Sequence, residues 1–344
     1  MDEDPGSRAS PSSINRRQTL GAAIGFGLYT RAVQSRSTVS AAVIEPRSAA
    51  FATLVDPAAV VETLYAEGRW CEGPVWSPAD GGLVFSDVRA NRLMCLRADR
   101  SVDVVRDPSN NGNGNAIDRQ GRLLTCEHRS RAVVRREADG RRVTLVDRYE
   151  GRRLNAPNDL AVADDGAVWF TDPIFGITQP DEGLQAEPEQ KFRHVFRCSV
   201  DGRLSVVSDT FDQPNGIAFS PDFKTLYVSE AGAALDPDGG GREIRAFDVQ
   251  DDGTVRRERV FARLDTGLPD GLTTDERGCV YAATMDGIRV WAADGRPLGL
   301  IRTAGTCGNV AFGGADGRTL FICSGKHIHA LPMRVRGAGR SSTR

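Results

Sequence analysis

The stretch PNDLAVADDGAVWFTD, residues 157–172, decides the fold. It opens on a Pro-Asn turn and runs through the alternating apolar residues Leu160 and Val162. It then reverses at Asp165-Gly166 and enters a second apolar run at Val168 and Phe170. Period-two alternation bounded by turn residues predicts two strands joined by a hairpin. The phrase returns as EGPVWSP from Glu72, NGNAID from Asn113, PNGIAFSPDFKTLYVSE from Pro214, PDGLTTDERGCVYAAT from Pro269 and CGNVAFGGADGRTLFIC from Cys307, six copies in all. Successive copies begin about 40–55 residues apart, a period that fits a propeller blade. The expected fold is all-β: a six-bladed β-propeller whose innermost strands begin beside one central, metal-binding channel.

The hairpin glycines set the register. Asn113, Asn158 and Asp270 each stand eight residues before a turn glycine (Gly121, Gly166 and Gly278). Asn215 aligns through Ala218-Phe219, and Glu72 opens the first copy. Glu72, Asn158, Asn215 and Asp270 are therefore expected to meet on the axis as a ring of oxygen ligands. One Glu, one Asp and two amides suit a hard divalent cation, most naturally calcium, with magnesium, manganese or zinc as alternatives. No histidine holds a ring position, which weighs against zinc. An Asn after Pro is a good turn residue in its own right. Matched copies converging on one axis favour the ligand reading over that simpler one.

Bulk composition narrows the classes. Lys and Arg number 44 against 46 Asp and Glu, so no global field points to nucleic acid. The seven cysteines form no Cys-x-x-Cys pair, which argues against a thiolate metal site. They read as buried free thiols in a chain large enough to fold without staples. No Gly-x-Ser-x-Gly elbow and no Gly-x-Gly-x-x-Gly turn after a strand occur, which disfavours a serine esterase and a nucleotide cofactor.

The chain divides into a leader at 1–45, a propeller at 55–334 and a disordered tail at 335–344. The leader carries Arg16-Arg17-Gln18-Thr19-Leu20, then a mild apolar stretch at 21–29 and a small-residue exit at Val39-Ser40-Ala41. That order resembles a twin-arginine export signal. The expected location is periplasmic or secreted, or cytoplasmic if the leader is inert. The apolar stretch is too short to span a bilayer as a helix, so no membrane span is expected in the mature protein. Residues 58–70 read as one entering strand that closes the ring with the final blade. Two longer gaps, 176–193 and 231–241, read as loops on the face that carries the oxygen ring, where they wall a substrate site.

Taken together, EGPVWSP, Cys126-Glu127-His128, RLNAPNDLAVADDGAVWFTDP, PNGIAFSPD, PDGL and NVAFGG resemble the SGL family of gluconolactonases, regucalcin (senescence marker protein) and luciferin-regenerating enzymes, over about residues 60 to 333. The resemblance implies a propeller with one catalytic divalent metal, ligated by Glu72, Asn158, Asn215 and Asp270. It also makes Asp270 the candidate general base. Ala156 stands where regucalcin-type members carry an arginine, so the wording is that of the bacterial gluconolactonase branch. His128 fits that branch's Cys-Glu-His motif. Asn113, His128 and Asp172 are candidate substrate contacts. Asp87 and Glu230 share Asp172's strand-end position, where an acid either orients a ligand or caps a turn.

The implied activity is metal-dependent hydrolysis of a small lactone, with Lewis-acid activation of the carbonyl and attack by water. A phosphotriesterase-like hydrolase on the same ring and a non-catalytic binding propeller are the alternatives.

Overall fold

The computed structural model describes residues 43–338. Apart from one two-stranded hairpin, the strands form six sheets of four or five. In chain order these are blade 1 (71–106), blade 2 (112–146), blade 3 (160–211), blade 4 (214–263), blade 5 (269–302) and blade 6 (307–332). Every pairing within them is antiparallel between neighbours in sequence, apart from two N-terminal additions. The innermost strands Cys71–Ser77, Gly112–Ile117, Leu160–Val162, Pro214–Phe219, Pro269–Thr274 and Cys307–Gly313 touch in cyclic order, and the last touches the first. The ring is closed, and the six sequence copies are its six blades.

Closure uses an N-terminal strand, Glu62–Tyr65, as the outer strand of blade 6, where it pairs with His327–Pro332. This element is shorter than the 58–70 strand expected, because Gly68 and the turn before Cys71 break the alternation. Two domain bounds shift: residues 335–338, read as the start of a disordered tail, are packed, with Val335 buried and Gly337 bridging Asp275, and a second N-terminal addition begins inside the segment read as leader (1–45). Val43–Pro46 pairs with Pro297–Arg302 and makes blade 5 five-stranded.

The core is divided rather than single. Six apolar clusters lie between the faces of adjacent blades, for example Val84, Leu93 and Cys95 of blade 1 against Leu123 of blade 2. The cluster between blades 5 and 6 is the largest, because Phe51 and Leu54 of the N-terminal segment extend it. Each sheet is covered on both sides, which explains strands such as Gly82–Asp87 and Val280–Thr284 that are buried throughout. All seven cysteines are free and buried. No helix among the described residues is long and apolar enough to cross a membrane.

Candidate active site

Bulges aim the ring. In five blades the pairing between the first and second strands shifts at the strand mouth: Glu72/Val75, Gly112/Asn115, Pro214/Ile217, Pro269/Leu272 and Cys307/Asn309. In blade 3 regular pairing begins only at Leu160. A bulge breaks the strict alternation of side chains, so consecutive residues can both face the axis. The ring position is thus Glu72, Asn113, Asn158, Asn215, Asp270 and Gly308 around the channel, with Gly73, Gly114, Asp159, Gly216, Gly271 and Asn309 one residue further on.

The structure brings Glu72, Asn215 and Asp270 into one cluster. Asn215 lowers and so partly offsets the raised Asp270 carboxyl, and the charge of Asp270 acts in turn on Glu72. Asn158 is buried at the same level and tied to blade 2 by its carbonyl, which accepts from Gly114 N at 2.8 Å. Glu72 leans over blade 6: a Cβ on Gly308 would lie 2.0 Å from Glu72 Oε1. The glycine at blade 6's ring position is what admits that carboxylate.

The electrostatics are one-sided. Burial drives the Glu72 carboxyl well above the usual range, and the charges of Asp270 and Asp159 push it further. Asp270 is raised in the same direction by burial and by Asp159 and Glu182, partly offset by hydrogen bonds from Gly271 N and Asn215. Asp159 is pushed up to about 7 by burial. Acids crowded this way repel one another unless a cation shares the site. Among the described residues no group of three or more His, Cys, Asp and Glu converges on one point as a metal site. The ring differs from that pattern in drawing half its oxygens from amides.

Asp87, Asp172 and Glu230 perform one repeated task. Asp87 Oδ1 accepts from Arg69 N (2.9 Å) and Trp70 N (3.0 Å). Asp172 Oδ2 accepts from Asn155 N at 2.8 Å. Glu230 accepts from Asp212 N (2.7 Å) and Gln213 N (2.8 Å). In each blade the donors lie two or three residues before the ring residue: Glu72, Asn158 or Asn215. The acid at the end of the second strand therefore tethers the turn that presents the ring side chain. Asp172 is fully buried, its carboxyl pushed up to about 7 by burial, and its bonds run to the backbone before Asn158.

His128 is also fully buried, packed under Gly176 and Gly183 of the loop following blade 3's second strand. Its Nδ1 meets the Glu182 carbonyl at 2.8 Å and its Nε2 meets Asn113 Nδ2 at 3.3 Å. That loop contains a short helix, Phe175–Thr178, and the loop after blade 4's second strand contains the 3-10 turn Gly232–Ala234. Arg89 pairs with Glu182 at 2.9 Å and stacks over Trp70 at 5.1 Å, so part of the mouth's wall is built from blade 1 and the blade 3 loop together.

Sequence reasoning missed Asp159, Asn309 and Glu182. The first two had a signal: four copies carry glycine after the ring residue, and only these two carry a polar side chain there. Glu182 had none, since it lies in a loop outside the repeat.

Comparison with known proteins agrees with this architecture. The model of the SMP-30/Gluconolactonase/LRE-like region matches residues 70–326. The chain belongs to that family. The gluconolactonase of Zymomonas mobilis is 33% identical over 309 residues, covering 82% of this chain and 83% of the relative. The solved gluconolactonase XC5397 of Xanthomonas campestris superimposes with a TM-score of 0.81 at 41% identity, over 88% of this chain and 98% of that one. Regucalcin of Agrobacterium tumefaciens, a calcium-binding protein, gives 0.66 at 18% identity over 80% and 94% of the two chains, a likeness of fold alone.

Proposed function

We propose that this chain is a gluconolactonase-like hydrolase that opens a sugar-derived lactone, with one divalent cation held by Glu72, Asn158, Asn215 and Asp270. The observation that carries the reading is the crowding of Glu72 and Asp270, whose strongest charged neighbours are other carboxylates. Such a cluster fits a cation. An all-oxygen set of two carboxylates and two amides suits calcium, which tolerates irregular geometry. When bound, the cation supplies Lewis-acid polarisation of the lactone carbonyl.

The chain's own groups do the rest. Asp270, buried at the ring position of blade 5, accepts the proton of the attacking water. The water oxygen bonds to the carbonyl carbon, the ring C–O bond breaks, and the departing alkoxide takes a proton. The product is a hydroxy acid, which at neutral pH releases one proton per turnover. The test is proton release from D-glucono-1,5-lactone above the uncatalysed rate, with chelator-stripped protein and after calcium is restored. Absence of turnover with calcium, magnesium, manganese and zinc alike would sink the reading.

We also propose export through a twin-arginine route. The support is the Arg16-Arg17 leader with its apolar stretch and Val39-Ser40-Ala41 exit; these residues lie outside the described ones.

A further inference from the structure

We infer that His128 is a positioning residue: it fixes the Asn113 carboxamide with Oδ1 turned to the channel, as a standing acceptor for a hydroxyl group of the substrate. The inference rests on the lactonase reading and narrows it to hydroxylated lactones.

The argument starts at the Glu182 carbonyl. A carbonyl only accepts, so the 2.8 Å contact requires His128 Nδ1 to carry a proton. The imidazole is fully buried, and burial lowers its tendency to take a second proton. His128 is then neutral, with a bare lone pair on Nε2. Across 3.3 Å from that lone pair lies the Asn113 amide. Only an N–H can face a lone pair favourably, so the NH₂ side must point to His128. The Asn113 oxygen is thereby turned away from the histidine.

Among the described residues that oxygen has no partner. Asn113 is 5% exposed, and its Oδ1 is buried without a hydrogen bond. An orphaned buried acceptor is costly, and a well-packed fold seldom leaves one without a use. Turning the amide over would set Oδ1 against the bare Nε2 of His128. The Asn113 backbone carbonyl is pinned by Ser86 Oγ at 2.6 Å and Asn115 Nδ2 at 3.0 Å. Its place is the ring position of blade 2, between those of Glu72 and Asn158. A hydroxyl seated against this ring position would meet an oxygen that accepts and does not donate. The complement is a hydroxyl.

The device also joins the blade 3 loop to recognition. Glu182 supplies the carbonyl that sets the tautomer, and Gly176 and Gly183 leave room for the ring: a Cβ on Gly176 would lie 2.4 Å from His128 Cγ.

Two measurements test this on the full-length, calcium-loaded protein. Long-range 1H–15N spectra of the histidine rings should show His128 protonated at Nδ1 and bare at Nε2 near neutral pH; the Nε2–H tautomer or a doubly protonated ring overturns the assignment. Asn113→Ala should lower kcat/KM on D-glucono-1,5-lactone roughly 10- to 100-fold while leaving unsubstituted δ-valerolactone within about threefold of the parent. His128→Leu should show the same selectivity in weaker form; if it does not fold, Asn113→Ala and the spectrum still decide. An equal loss on both lactones overturns the hydroxyl assignment. A parent that hydrolyses neither lactone sinks the lactonase reading and the hydroxyl assignment with it, whereas the spectrum judges the amide orientation separately.

Discussion

Asn309 Nδ2 lies 3.4 Å from Asp159 Oδ2, and the two residues come from blades 6 and 3, which face each other across the ring. The bond spans the channel one residue below the ring position and forms a floor beneath it. Glycines make the span possible: a Cβ on Gly114 would meet Asp159 Oδ1 at 2.4 Å, and one on Gly271 would meet Asn309 Cγ at 2.1 Å. On the far side lies a separate cavity of about 280 Å³, lined by Asp159, Asn309, Asn115 and Thr274 among others.

Asp159 makes the metal-free protein sensitive to pH. Its carboxyl is raised to about 7 in the fold, against roughly 4 in an unfolded chain. Between those values the unfolded chain loses the proton first, so the folded state binds more protons and stability falls as pH rises. The buried histidines His128, His194 and His329, whose pKa values are lowered, pull the opposite way. The comparison to make is therefore Asp159→Asn against parent, both in chelator. The variant should gain melting temperature relative to the parent as pH rises from about 5 to 8. A constant difference across that range would show that Asp159 is not the group responsible.

Asp270 is asked both to ligate and to take a proton. Asp270→Asn retains one carbonyl oxygen but removes the base, and loss of general-base help is worth about 10²–10⁴ in rate. Asn158→Ala deletes a neutral ligand and should be partly rescued by excess calcium. Metal titration of both variants during lactone hydrolysis separates the roles. If saturating metal returns Asp270→Asn to near the parent rate, Asp270 is a ligand only.

Gly308 has no side chain because Glu72 occupies its space. Gly308→Ala places a methyl 2.0 Å from Glu72 Oε1, so the carboxylate must shift. Calcium affinity, read by titration calorimetry, should fall about 10- to 100-fold with the circular dichroism spectrum unchanged. Parent-like affinity would mean that Glu72 is not held at its position for a cation.

Replacing Arg16 and Arg17 with lysine should retain the protein in the cytoplasm of a host that has the twin-arginine route. Unchanged fractionation removes the export proposal.

Much of the architecture was legible because a propeller repeats locally. The hairpin of 157–172 needs only its alternation and its Asp-Gly turn, and six copies imply a ring. The ring residues were legible by the same token, since register alone aligns Asn113, Asn158 and Asp270. Val43–Pro46 was not: its pairing with Pro297–Arg302 joins segments more than 250 residues apart, and its own four residues carry no distinctive pattern. Asp172 could be placed at a strand end, but its bond to Asn155 N depends on how the turn folds back.

The sequence by itself determined the blade count, the closed ring and the level at which each ring residue sits, because these follow from periodicity and turn chemistry along one strand pair at a time. Only the tertiary structure decided which side chains complete the site: Asp159 with Asn309 beneath the ring, and Glu182 with His128 beside it. Their partners lie on other blades or in an insertion outside the repeat, and a hydrogen bond between such segments depends on how closely the blades pack, a distance that no local pattern encodes.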